Sequence, residues 1–305
     1  NVFGTLMLAH GMIIAAYMIH EAAHNTVFRD NAHNAKLGEY LSWMCGAAYG
    51  TYEDMRFKHF RHHVDNDDVV WFDYEAFFAK YPAVLRIVQA LEWCYIPAHE
   101  FIMHGIMILT SFVIPQRRDQ RSRNVKVILI RGSLYLLLVL FAPKVAVLYA
   151  VAYMLMMTVL RFMDSIQHDY GFNPTLFSDE IPPRKGDRAW ENEHTFSDPH
   201  VPRDSILNWF TLNFGWHNAH HAKPTTPWYN LPKVHVELFG DPVDLCVPFG
   251  QQLKIFHKYR VIRVIQEGGD LDDQPEIHAQ GRDFLEAAKV GKIYGGNAAS
   301  FLTSF

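Results

Sequence analysis

Residues 1–19, NVFGTLMLAHGMIIAAYMI, contain no Asp, Glu, Lys or Arg. A helix of that length is about long enough to cross the ~30 Å hydrocarbon core of a bilayer. Residues 145–160 (VAVLYAVAYMLMMTVL) form a second uncharged run. Residues 132–142 (GSLYLLLVLFA) form a third, extended back to Val125 through a stretch that holds Lys126 and Arg131. Such runs are uncommon in the cores of soluble proteins, so transmembrane helices are expected at about 1–19, 125–142 and 144–163. The mean hydropathy of -0.06 conceals this segregation. Residues 53–75 and 164–204 are strongly polar, whereas 83–114 is apolar but broken by Arg86, Glu92, Pro97, His99 and Glu100. That segment is expected to be interfacial or re-entrant, bent at Pro97. Residues 266–305 read as a Gly-rich, partly acidic C-terminal tail, and 1–265 as one domain.

Charge orients the chain. The densest basic stretch beside an apolar run is QRRDQRSRNVK, 116–126, and such stretches favour the cytoplasm. The turn at Ala142–Pro143–Lys144 then lies on the far side, and the chain returns at about Arg161. With 83–114 not crossing, residues 20–82 and 164–265 are expected to be cytosolic. The formal net charge of -4 gives no footprint for nucleic acid. Cys45, Cys94 and Cys246 form no CxxC pair, which excludes a disulfide framework and an iron–sulfur site. The first residue, Asn1, already lies in an apolar run, so further residues are expected ahead of it.

Histidines cluster at three places: HEAAH (His20, His24), HFRHH (His59, His62, His63) and HNAHH (His217, His220, His221). The first pair is four apart, on one face of a helix, at the end of the first apolar run. In the other two, positions i, i+3 and i+4 share a face. Imidazoles so crowded repel if charged and leave nitrogens unpaired if buried, and a bound metal resolves both problems. Eight nitrogens exceed the four that satisfy one zinc, so they suit two metals. Imidazole alone does not choose among iron, copper and zinc. HEAAH by itself is not a zinc-protease motif, because that reading leaves the other six histidines unexplained.

HxxxH, HxxHH and HxxHH, in this order at the ends of membrane helices, resemble the membrane fatty acid desaturase and hydroxylase superfamily. The third box continues as HHAKPTTPWYNLP, similar to that family's HHxxPxxPxYxLP, and the resemblance covers roughly residues 5–240. It implies an all-α polytopic membrane protein whose transmembrane helices are capped by a cytosolic helical diiron domain. It also implies two iron ions, O2 as co-substrate and a fatty acid or fatty acyl substrate. The electrons come from an external donor of the ferredoxin, rubredoxin or cytochrome b5 type, and the location is a bacterial inner membrane or the endoplasmic reticulum. RFMDSIQHDYG (161–171) resembles the acyl-CoA desaturase pattern in which an asparagine precedes a ligand histidine by four residues. His168 is thereby the ninth ligand. Asp164 stands at the asparagine position, where a carboxylate can ligate iron, hold a water or relay a proton. The expected reaction is desaturation of a long acyl chain; hydroxylation and oxidative decarboxylation to a terminal alkene use the same histidines.

Around these boxes, His194 is a candidate for the surroundings of the metals or the substrate entrance. Asp65, with Asp67 and Asp68, can orient the second box through its outer ring nitrogens. Arg56, Lys58, Arg61 and Lys223 are cations close enough to the boxes to hold a carboxylate. His10 is either functional or bonded to a backbone carbonyl. His99 and His104 are read as packing residues, and His200, His235, His257 and His278 as ordinary ones.

Overall fold

The computed structural model describes residues 1–240, 242–265 and 279–298, and among them every regular element is a helix. Three stretches are long and apolar enough to cross a membrane: Val2–Ala23, Pro115–Phe141 and Pro143–Ile166. They contain helices α1 (Val2–Ala23), α7 (Arg121–Phe141) and α8 (Pro143–Met163). α1 and α8 share an interior of small and flexible residues, among them Ala9, Ala15, Ala16, Ala152, Met156 and Leu160. Small side chains let backbones approach, and packing rather than water exclusion drives helix association in lipid. α7 buries only Asn124 and Val127, and its Leu129, Leu134 and Leu140 are more than half exposed. That exposure matches a helix flanked by lipid. α7 begins four residues before the expected boundary because Arg121 has a structural task. Its guanidinium donates to the carbonyls of Ser111 (2.9 Å) and Phe112 (2.8 Å), closing the end of the preceding helix.

Between α1 and α7 the chain forms α2 (Asn31–Cys45), α3 (Tyr52–Asp65), α4 (Tyr74–Lys80), α5 (Pro82–Trp93) and α6 (Ala98–Val113). α2 starts on Asp30, whose side chain accepts from the Ala32 amide, and stops at Gly46 with φ 91°. α3 starts with a reciprocal cap between Thr51 and Asp54, and Asp54 also holds Arg117 at 2.8 Å. The apolar segment 83–114 is two helices, broken where Tyr95 takes φ 60° just before Pro97. α6, with 16 residues, falls short of the ~20 a crossing helix needs. A buried ion cluster ties this pair to α8: Arg161 lies 2.6 Å from Glu92 and 3.0 Å from Glu100.

Beyond α8 come α9 (Arg188–Glu193), α10 (His217–Ala222), α11 (Leu231–Phe239), α12 (Pro242–Leu245), α13 (Phe249–Tyr259) and α14 (Arg282–Lys289). Residues 279–298, placed in the C-terminal tail by the sequence reading, pack into this layer. Phe284, Leu285, Ala288 and Ile293 share an apolar cluster with Ile166, Phe196, Val247 and Ile255. The Gly296 amide then donates to the Ser165 carbonyl at 2.9 Å. The rest of that tail, 266–278 and 299–305, lies outside the described residues.

Candidate metal centre

The centre is assembled where α1 ends, where α3 and α10 pass over it, and where the chain leaves α8. His20 and His24 come from α1, His59, His62 and His63 from α3, and His217, His220 and His221 from α10. His168 follows α8 in extended chain, bridged to Thr195. All nine are buried, none more than 5 % exposed. Their nitrogens form two groups: His20, His24, His59, His63 and His220 in one, and His62, His168, His217 and His221 in the other. Within each, the ligand atoms lie within 4.8 Å of one another.

Helix geometry explains the division. At ~100° per residue, positions i and i+4 diverge by about 40°, while i+3 turns about 60° the other way. His59 and His63 therefore serve one group and His62 the other. His217 and His221 likewise stay together, while His220 crosses to the first group.

The donor set fits metal ions. Nε2 atoms face one another at 3.1 Å (His20–His220), 3.0 Å (His63–His220), 3.1 Å (His62–His168) and 2.7 Å (His168–His217). Two nitrogens each ~2.1 Å from one ion at right angles would stand about 3.0 Å apart. His221 Nε2 is buried with no hydrogen-bond partner, an orphan that a metal would satisfy. Burial, reinforced by neighbouring imidazoles, pushes His24, His59, His63, His168, His217, His220 and His221 well below the ordinary histidine range. These rings are held neutral, the state in which imidazole ligates. His62 differs: burial opposes its charge, but Asp68, the Asp67 carbonyl and Asp164 together outweigh burial and raise it.

Two of the outer nitrogens have acidic or carbonyl partners. His62 Nδ1 donates to the Asp67 carbonyl (2.8 Å) and lies 3.4 Å from Asp68 Oδ1. His221 Nδ1 donates to Glu191 Oε1 at 2.8 Å, and Arg188 holds the other oxygen of that carboxylate. Glu191 was missed from sequence. Two positions before Glu193 in WENEH, it has nothing to mark it except its phase on α9. Glu21 of HEAAH has Oε1 3.7 Å from His20 Nδ1. Its Oε2 accepts from Thr26 (2.6 Å) and from the Trp228 amide (3.1 Å), tying the end of α1 to the segment after the third box.

Other candidates fall differently. Asp65 is taken up by Arg61 (2.8 Å) and Lys185 (3.0 Å), so the contacts to His62 come from Asp67 and Asp68 instead. The cause is Asn66, whose left-handed backbone (φ 56°) ends α3 and swings the following residues back over it. Asp164 is buried just past α8, with Oδ2 lacking a hydrogen-bond partner, and stands outside both histidine groups. His194 also stands outside them, donating to Asp169 (2.8 Å) and stacking on Trp190 at 4.0 Å. His10 reaches the Phe210 carbonyl (3.2 Å), and His104 meets the Tyr153 hydroxyl (2.8 Å). His278 lies outside the described residues.

The family model for fatty acid desaturases matches residues 1–252, which takes in all nine histidines. Searches of curated proteins and of solved structures returned no match. A match over most of the chain, together with eight buried histidines in the three boxes and His168 beside them, places it plainly: the chain belongs to the fatty acid desaturase family.

Proposed function

We propose that this protein is an oxygen-dependent, non-haem diiron fatty acid desaturase that introduces a C=C bond into a long acyl chain. The observation that carries the reading is the division of nine buried imidazoles into two adjacent groups of five and four. Two irons held there would supply the oxidising power, drawn from O2, that an unactivated C–H bond requires and side-chain acid–base chemistry lacks. The substrate gives up two hydrogens, and two further electrons enter with two protons, so that O2 leaves as two waters. We take those electrons to come from an external donor of ferredoxin, rubredoxin or cytochrome b5 type; the three dispersed cysteines present build no iron–sulfur centre. The expected setting is a bacterial inner membrane or endoplasmic reticulum with the site facing the cytoplasm.

The chain's own residues prepare the site. Burial favours the neutral form of the rings other than His62, and Glu191, Asp68 and the Asp67 carbonyl hold outer nitrogens so that Nε2 faces inward. Phe214 against His20 (5.1 Å) and Tyr170 against His168 (4.2 Å) wall the groups with rings and exclude water.

Oxidative decarboxylation of free fatty acids to terminal alkenes is the second reading. It needs a cation for the carboxylate, and Lys58 favours it. Lys58 is 3 % exposed and adjoins His59 on α3, whereas Lys223 is exposed. Burial pushes its ammonium down to about 7, against the pull of Asp164 and Asp68. Hydroxylation would use the same two groups.

Mass spectrometry of fatty acids, hydroxy acids and volatile hydrocarbons separates these products. Cells expressing the wild type are compared with cells expressing His63→Ala, each with a reductase system. An internal double bond seen with wild type alone supports desaturation, and a one-carbon-shorter terminal alkene establishes decarboxylation instead. Identical profiles would overturn the enzyme reading.

A further inference from the structure

Arg131 is the last charged residue of α7, five residues beyond Lys126 and followed by ten uncharged ones. At 1.5 Å per residue it lies ~7.5 Å further along the helix than Lys126. Three other arginines are matched by acids, Arg61 by Asp65, Arg117 by Asp54, and Arg161 by Glu92 and Glu100, while the buried Arg263 donates to the carbonyls of Gly296 and Asn297. Arg131 has no carboxylate partner among the described residues. It donates to the Trp43 carbonyl (2.8 Å) and sits 5.7 Å from the centroid of the Tyr49 ring. A charge within a membrane helix is costly unless paired; the Trp43 carbonyl and Tyr49 ring meet this guanidinium without neutralising it, so it can still take an anion.

The same arginine lines a groove of about 600 Å³ between α7, α8 and the end of α2. Leu134, Tyr135 and Leu138 follow it at i+3, i+4 and i+7, one face of α7, and Trp43, Tyr49 and Tyr149 supply the other walls. The groove thus has a cation at its start and some 10 Å of apolar wall beyond it. Its flank is open toward the lipid-facing side of α7, where Leu134 is 62 % exposed. An occupant therefore arrives sideways, from the bilayer.

We propose that this groove binds one anionic phospholipid, with its phosphate on Arg131 and an acyl chain lying along Leu134 and Leu138. A guanidinium presents paired N–H donors to phosphate oxygens, and basic pockets between transmembrane helices are suited to anionic head groups. Tyrosine and tryptophan around the charge fit the level of the head groups. The site is separate from the nine histidines and does not depend on how they react.

The experiment is native mass spectrometry of the purified full chain in detergent, offered equimolar phosphatidylglycerol, phosphatidylcholine and oleate. The wild type is expected to retain phosphatidylglycerol in preference to both others. Arg131→Gln should cut that retention at least fivefold. Gly132→Trp should do the same by filling the groove, since a Cβ there meets nothing within 4 Å and the guanidinium is left in place. Gly11→Trp, equally open but on α1, should change nothing. A wild type without preference among the three, or one that holds oleate instead, overturns the proposal. So does equal retention by wild type, Arg131→Gln and Gly132→Trp. The absence of a wild-type preference overturns the proposal even where a variant fails to fold, and either folded variant suffices to locate the site.

Discussion

Glu191 shows how one carboxylate governs an imidazole that lies 30 residues away in sequence. It accepts the Nδ1 proton of His221 at 2.8 Å, is itself gripped by Arg188, and is 1 % exposed. Removing such a partner frees the ring to rotate and lowers its basicity, at a typical cost of about 10–100-fold in metal affinity or activity. Glu191→Ala should therefore lose iron to a chelator at least tenfold faster than wild type, and Glu191→Gln should fall between the two. Asp65→Asn should retain iron like wild type, because its carboxylate faces Arg61 and Lys185 rather than an imidazole. Iron per chain, measured by elemental analysis after timed dialysis, checks all three, and equal loss from Glu191→Ala and Asp65→Asn would remove Glu191 from its role. The contrast explains what sequence could show here. Ligand type and i, i+4 spacing are local, so the three boxes were legible. Which acid serves which ring depends on the left-handed turn at Asn66 and on the docking of α9, and neither is visible in a spacing.

At the level of helices, the uncharged runs located α1, α7 and α8 well, because a segment free of charge over that length has few alternatives to a helix. Their ends were less legible, since Arg121 belongs to α7 only through the carbonyls it caps on α6. The C-terminal helix was hidden by the Gly-rich and acidic composition around it, although RDFLEAAK buries Phe284, Leu285 and Ala288 on one face. After α14 the chain passes close behind His168. A Cβ on Gly296 would lie 2.2 Å from the His168 carbonyl oxygen, which only a backbone shift could relieve. Gly296→Ala should destabilise the protein by about 1–3 kcal/mol, the usual cost of overpacking, and should loosen iron retention as His168 moves. Gly105→Ala, where a Cβ meets nothing within 4 Å inside α6, should be neutral or stabilising by up to about 1 kcal/mol. Thermal unfolding in detergent compares the two, and equal melting temperatures would mean that the Gly296 strand does not support the site. A second joint is the buried Arg161 between Glu92 and Glu100. Arg161→Met strands two carboxylates and should cost about 3–5 kcal/mol, while adding Glu92→Gln and Glu100→Gln should recover much of it. No recovery in the triple variant would show that the cluster contributes packing rather than charge balance.

The whole molecule is ordered by parity across the membrane. α1 ends in His20 and His24, and the chain leaves α8 into His168; these residues belong to one centre, so both helices end on the same side. α7 and α8 are joined at Ala142, so the basic start of α7, from Arg117 to Lys126, lies on that side as well. Excess Lys and Arg favour the cytoplasmic face, so the proposed orientation has the histidines on that side and the Ala142–Lys144 turn opposite. The chain carries its own reporter of this arrangement: Cys94, between α5 and α6, is exposed, whereas Cys45 and Cys246 are buried. In sealed cells a membrane-impermeant maleimide should leave Cys94 unmodified and should modify it in inverted vesicles. In a Cys94→Ser background, Lys144→Cys should behave the opposite way. If both positions react from one side, the α7–α8 hairpin does not cross the bilayer, and the apolar length of those helices must be buried in some other way. If the two sides are distinct but exchanged, the helices cross as drawn while the metal centre faces away from the cytoplasm, and an electron donor from the cytoplasm could not reach it.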